Sequence, residues 1–286
     1  MLISPTSPDD IAGLTAAALA LTVTAAGCTA DKALDFGPVG EISTPPEDQM
    51  SRDILREVVW TPPAQATLDE LGWFRFTIGR IGGFEGAPVV ASRTGYTGER
   101  GYEIFCRGQD APLIWDRILD EGKSMGIIPC RFTTLDLLRT ESYLLFFPYD
   151  NSEMYPFENE GPGDTLWELG LDFTVSPGKV GFRGAEEHYR LKGKERFKIW
   201  GLKMEGTNVP GNGAPVMRDG KKVGVVTQAM YSPLNKHNIA IARIPVDCAN
   251  NGTKLVVNCA THGEIAAVTH SMPFYDVEKK RRTAQG

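Results

Sequence analysis

Apolar positions along the chain change period twice, and each change predicts a different kind of element. Ile11 to Cys28 is a nearly continuous apolar, Ala-rich run behind Ser7-Pro8-Asp9-Asp10, which is read as a helix start, so a buried helix is expected there. Asp31 to Pro63 is rich in Pro, Gly, Ser and acidic residues and predicts an irregular connection with one short helix near Ser51 to Val59. Leu71 to Ile81 and Ala87 to Ala91 then read as strands. A helix follows from a cap at Asp110 through Gly122, with Leu113, Ile114, Ile118 and Leu119 on one face, and a second helix covers Thr133 to Tyr143. From Arg196 onward the pattern becomes short alternating runs between turns: Phe197 to Met204, Pro215 to Met217, Val223 to Ala229, Ile239 to Ile244, Lys254 to Val257 and Glu264 to Val268. That spacing predicts a small antiparallel barrel or sandwich. The expected class is α+β, in two domains, residues 1–195 and 196–286.

Composition adds exclusions. The 286 residues are 42% hydrophobic and 23% charged, which suits a folded globular chain with room for two cores. A net charge of −6 disfavours a general nucleic-acid surface, and Lys279-Lys280-Arg281-Arg282 reads as a solvated tail. The first apolar run lacks the basic flank of a secretory signal and is too rich in Ala and Thr for a good membrane span, so no membrane association is expected. Five scattered cysteines fit reduced thiols in a cytoplasmic protein better than a disulfide framework. No pair among His188, His237, His262 and His270 has ligand spacing, and no metal is expected.

Ser92-Arg93-Thr94-Gly95-Tyr96-Thr97-Gly98-Glu99-Arg100-Gly101-Tyr102-Glu103-Ile104-Phe105 holds the most chemistry. Glycines at 95, 98 and 101 permit tight turns and close approaches, and Tyr102, Ile104 and Cys106 alternate with Glu103 and Phe105 as in a half-buried strand. Such a loop presents Glu99 at a fixed place, suited to a ligand edge rich in N–H donors. A tight turn with a solvated carboxylate is the simpler alternative for each residue taken alone.

The string from Ser92 to Glu99 resembles the signature of the folate-dependent aminomethyltransferase family, the T-protein of glycine cleavage and its relatives. Further segments resemble the family in the same order. Asp136-x-x-Arg139-x-Glu141 is similar to its Asp-x-Leu-Arg-x-Glu helix, read here as structural surface ion pairing, with Leu135 where the family has Arg and Arg131 as a substitute for that charge. Asp164 to Val175 aligns with a turn in which Phe173 replaces a Trp, and Gly213, Asp219-Gly220 and Gly224-Val225-Val226-Thr227 match the C-terminal barrel. The resemblance runs from about Leu71 to Phe274 and implies an aminomethyltransferase-like folate-binding fold followed by that barrel.

It also implies tetrahydrofolate as cofactor, with Glu99 anchoring the pterin, Tyr96 packing beside it or moving a proton, and Phe173 and Trp167 covering the ring. Core filling is the alternative for both of these aromatics. Residues 167 to 189 look like the branch that demethylates vanillate, syringate or related methoxybenzoates, passing the methyl to tetrahydrofolate and leaving a catechol and 5-methyltetrahydrofolate. The stretch before Leu71 is shorter than the family's N-terminal half, which leaves a truncated gene, a subunit whose pocket a partner chain completes, and a divergent pocket as alternatives, and no catalytic residue is assigned. The alternative reading is a non-catalytic folate-binding protein or a subunit of a larger one-carbon-transfer complex.

Overall fold

The computed structural model describes residues 21–26, 50–156 and 163–279. The chain divides into two compact units, Met1–Leu138 with Glu278–Gly286, and Arg139–Val277.

In the first unit the strands are β1 (Leu21–Ala26), β2 (Val59–Trp60), β3 (Phe76–Ile81), β4 (Ala87–Ser92) and β5 (Tyr102–Arg107), in the spatial order β1-β5-β4-β3-β2. The β5-β4-β3-β2 pairs are antiparallel, whereas β1 joins the edge of β5 in parallel, Leu21 opposite Tyr102 and Ala26 opposite Arg107. A helix over Ile11 to Cys28 was the expectation; residues 21–26 are instead a strand, and the remainder lies outside the described residues. The reason is legible in Leu21-Thr-Val-Thr-Ala, where apolar and polar residues alternate with period two and β-branched residues dominate. Helices α1 (Met50–Val58) and α2 (Ala111–Gly122) bury Ile54, Leu55, Val58, Ile114 and Ile118 in one core with Ile81, Val89, Ala91, Tyr102 and Ile104. Leu113, expected on the buried face, is exposed, and the Asp110 side chain makes no cap hydrogen bond. Strand β3 starts at Phe76 rather than Leu71.

Helix α3 (Phe132–Glu141) runs into the second unit. Two short helices follow there, α4 (Leu166–Leu169) and α5 (Ala185–Arg190). The rest is a closed barrel of β6 (Phe197–Met204), β7 (Pro215–Arg218), β8 (Lys221–Ser232), β9 (His237–Pro245), β10 (Lys254–Cys259) and β11 (Gly263–His270), in the order β10-β11-β6-β9-β8-β7. Closure through the antiparallel β10–β7 pair leaves none of these strands as a free edge. The core holds Leu202, Val216, Val226, Ala240, Ala242, Ile244, Leu255 and Val257, and its strands begin within a few residues of where the alternation places them. Strand β8 passes so close to β9 that a Cβ on Gly224 would lie 2.3 Å from the Arg243 carbonyl oxygen.

Candidate functional site

The Ser92–Phe105 segment connects β4 to β5 and belongs to the first unit. Gly98 sits at φ 79, in the left-handed region, while Gly95 is exposed with open space around its missing Cβ. Of the glycines, Gly98 therefore sets the turn. The Glu99 N–H donates to Thr97 Oγ at 3.2 Å, an ST-turn that fixes the backbone next to the carboxylate. Thr97, Gly98 and Arg100 are buried and root the loop; Tyr96 and Glu99 are half-buried. These two predicted site residues thus share one rigid connection.

A second carboxylate, Glu103, was passed over as a strand residue. Thr94 Oγ donates to its Oε2, and the Ser92 hydroxyl lies 3.0 Å from Thr94 Oγ. Register places Glu103 opposite Ser92, which faces Phe76, while Phe105 lies opposite Val90 and Val90 opposite Ile78. This sheet face is the one away from the helices: Phe76, Ile78 and Phe105 are 63%, 48% and 42% exposed, while Thr77, Gly79 and Ile104 between them are buried. Two of the hydrophobic residues of β3, Phe76 and Ile78, therefore point outward, while Ile81 is buried in the core. The signal available in the sequence was the alternation itself: a strand with apolar residues at both parities, Ile104 and Phe105, has two apolar faces to account for.

These features fit a pterin. Its edge of amino and ring N–H groups needs carboxylate acceptors, and its flat ring needs apolar surface; Glu99 and Glu103 supply acceptors, and Glu103 sits among Phe76, Val90 and Phe105.

In the second unit, Trp167 and Phe173 are held differently. The Trp167 ring stacks on His188 with centroids 4.6 Å apart and 20° between planes, and Lys192 Nζ lies 5.1 Å from its centroid. Its Nε1–H donates to the His188 carbonyl at 2.8 Å. Trp167 is packed against α5, whereas the Phe173 ring is 71% exposed.

Around them the unit encloses ionic groups. Thr165 and Glu168 form a capping box on α4, and the buried Glu168 also accepts from Arg196 N, at 3.1 Å, and Nε, at 2.8 Å. Burial alone would raise the Glu168 pKa; the hydrogen bonds from Arg196 and from the Thr165 N–H outweigh it and hold the carboxyl below its usual range. Arg139, expected at the surface in a pair with Asp136, is buried, and it meets Asp150 at 2.6 Å. Asp150 also accepts from the Phe146 N–H at 2.7 Å and from Thr227 Oγ. Thr227 is the extra residue of a bulge in β8, where Val226 faces Ala242 and Gln228 faces Ile241. Glu141 accepts from Ser232, and Arg243, fully buried, meets Asp164 at 3.3 Å with its guanidinium 3.8 Å from the Phe197 centroid. Among the described residues no group of three or more potential metal ligands occurs, and no helix is long and apolar enough to cross a membrane.

Residues 50–179 match the GCVT N-terminal domain and residues 198–276 the glycine cleavage T-protein C-terminal barrel domain. The first match begins earlier than Leu71. The chain is 61% identical over 199 residues to the heme-dependent oxidative N-demethylase gamma subunit of Ectopseudomonas mendocina, covering 70% of this chain and 52% of that protein. It is 38% identical to the trimethylamine-oxide aldolase of Ruegeria pomeroyi, over 81% of this chain and 29% of the relative, and 33% identical to the aminomethyltransferase of Halalkalibacterium halodurans, over 73% and 54%. It thus spans about half, or less, of these relatives. Among solved structures, the glycine cleavage system aminomethyltransferase T from Bartonella henselae shares the fold, with a TM-score of 0.61 at 24% identity over 73% of this chain and 54% of that one. Two family models in the family's order, the barrel and the fold agree: the chain belongs to the aminomethyltransferase, or glycine-cleavage T-protein, family.

Proposed function

We propose that the chain binds tetrahydrofolate and serves as the one-carbon acceptor for an N-demethylation, working with a partner polypeptide that releases the carbon. The observation that carries this is the Thr94-held Glu103 on an apolar sheet face, at the end of the connection that also carries half-buried Glu99. All candidate ligand residues precede the barrel, so residues 1–195 take the ligand-binding role and residues 196–286 a supporting one. Bound tetrahydrofolate supplies the amine nitrogen that takes up the carbon. The chain's own part is to accept the pterin N–H groups at Glu99 and Glu103, to support its ring with the apolar side chains of the same sheet face, and to shield it from water. Among the described residues the cysteines Cys106, Cys130, Cys248 and Cys259 are free thiols, which suits a reducing, cytoplasmic setting.

The donor follows from chemistry. Oxidative N-demethylation releases the methyl carbon at the oxidation level of formaldehyde, and the relatives named as an oxidative N-demethylase subunit and a trimethylamine-oxide aldolase support a donor of that kind. A methoxybenzoate such as vanillate or syringate is the competing donor, supported by the wording of residues 167–189.

Calorimetric titration with tetrahydrofolate tests the binding, and absence of binding at high micromolar ligand overturns the proposal. Given binding, formaldehyde is added and 5,10-methylenetetrahydrofolate is followed against the spontaneous condensation; a parallel arm supplies vanillate or syringate and follows 5-methyltetrahydrofolate. Acceleration in the first arm supports an N-demethylation acceptor, and product in the second establishes the O-demethylase reading instead. Binding with neither product identifies a non-catalytic folate carrier.

A further inference from the structure

We propose that the aromatic cluster around α5 is a platform that displays lysines for docking an acidic segment of another protein, a role separate from folate binding and confined to the second unit. Charge is distributed unevenly along the chain. The whole sequence carries 30 Lys and Arg against 36 Asp and Glu, yet residues 175–198 hold seven against three. Three of the seven are engaged locally: Arg190 pairs with Glu187, Arg196 with Glu168 and Lys198 with Glu195. Lys179, Arg183, Lys192 and Lys194 are exposed and form no ion pair among the described residues.

Two of these lysines are held in place. Trp167, His188, Phe182 and Tyr189 form one connected cluster: His188 stacks on Trp167, meets Phe182 edge-on with centroids 5.9 Å apart and planes at 64°, and meets Tyr189 edge-on at 5.0 Å and 71°. The backbone pins the cluster, because the Tyr189 hydroxyl donates to the Lys179 carbonyl at 2.6 Å and Lys198 Nζ donates to the Trp167 carbonyl at 2.7 Å. At its two ends stand the ammonium groups, Lys179 Nζ 5.8 Å from the Phe182 centroid and Lys192 Nζ 5.1 Å from the Trp167 centroid. An exposed lysine loses much rotamer freedom when a partner fixes it, and a ring face that attracts the ammonium removes part of that loss beforehand.

The same geometry selects the partner. A nucleic-acid strand needs open ring faces on which to stack its bases, but His188 and Lys192 already lie against Trp167, and Lys179 against Phe182. A second copy of this chain would bring a net charge of −6 against another of −6. An acidic peptide needs only the displayed ammonium groups. Val180, 78% exposed and next to Lys179, adds the apolar contact that a protein interface uses at its centre.

The test uses the intact chain and, as probe, a fluorescein-labelled peptide of about eight glutamates, followed by fluorescence anisotropy. Binding is expected at about 50 mM salt and is expected to weaken about tenfold at about 200 mM. Lys179→Glu combined with Lys192→Glu is expected to weaken it about tenfold or more. Lys221→Glu combined with Lys222→Glu, the same charge change on exposed lysines of β8, is expected to leave it unaltered. Phe182→Leu, which keeps every charge and removes one ring, is expected to weaken it about threefold. Absence of binding at the lower salt overturns the proposal, as does an equal loss in the two lysine pairs. Tighter binding to octauridylate or to phosphatidylserine vesicles also overturns it, as does an oligomer of the chain alone that Lys179→Glu with Lys192→Glu dissolves. Unchanged affinity in Phe182→Leu overturns the platform.

Discussion

The β4–β5 connection and the interior of the second unit both concentrate charge, and they treat it in opposite ways. In the second unit, Arg139, Asp150, Glu168 and Arg243 are buried, and each meets an opposite charge within that unit. Along the Ser92–Phe105 segment, Glu103 accepts from Thr94 Oγ, the Glu99 backbone N–H donates to Thr97 Oγ, and both residues stay half-buried. Enclosed charge that meets an opposite charge ties elements together; charge at an accessible apolar face is open to a ligand. The same residue types serve architecture in one place and, under the folate proposal, recognition in the other, and burial with partner geometry separates them.

The comparison can be broken most forcefully at Arg139. Removing it by Arg139→Ala leaves Asp150 as an uncompensated buried charge, and a loss of about 3–5 kcal/mol is expected in denaturant unfolding. A loss below about 1 kcal/mol would show that the pair is not architectural.

The next effect is on ligand and not on stability. Glu103→Gln and Glu99→Gln are each expected to weaken tetrahydrofolate binding by about 1.5–3 kcal/mol, the range for hydrogen bonds to a charged group, with the unfolding midpoint unchanged. A shifted midpoint with intact affinity would place the residue on the architectural side.

Smaller still is the pH dependence of the second unit. Because the folded-state pKa of Glu168 is depressed, the stability it contributes is fully present above the ordinary Glu range near pH 4.3 and is lost as pH falls through the folded value. Unfolding followed from pH 6 to pH 3 should show this loss, and Glu168→Gln should flatten the curve. The smallest effect is expected at the exposed Arg190–Glu187 pair, where Arg190→Ala should leave the unfolding midpoint where it was.

The sequence foretold the barrel well, because each strand alternates with period two and one face of each is packed inside a closed sheet. Helices α1 and α2 were legible for the matching reason, a 3.6-residue stripe against one core. Residues 21–26 were misread because an Ala-rich apolar run has no decisive period in its first half; the strand's partner, β5, is more than seventy residues away. Glu99 stood out because glycines announce a turn, whereas Glu103 looked like one polar step in a strand until the register set it among Phe76, Val90 and Phe105. Arg139 and Asp136 are three apart on a helix, which suggests a local pair; the contact with Asp150 depends on how the chain returns after α3 and could not be read from spacing.

The parallel pairing of β1 with β5 has a practical consequence for anyone preparing fragments of this protein. The family match starts at residue 50, which invites an expression fragment beginning there. Such a fragment would strip the neighbour from β5 and expose a row of backbone donors and acceptors on the strand that carries Glu103 and Phe105. An unpaired strand edge beside outward aromatic residues is a template for intermolecular strand addition, so the shortened protein should self-associate where the longer one stays dispersed.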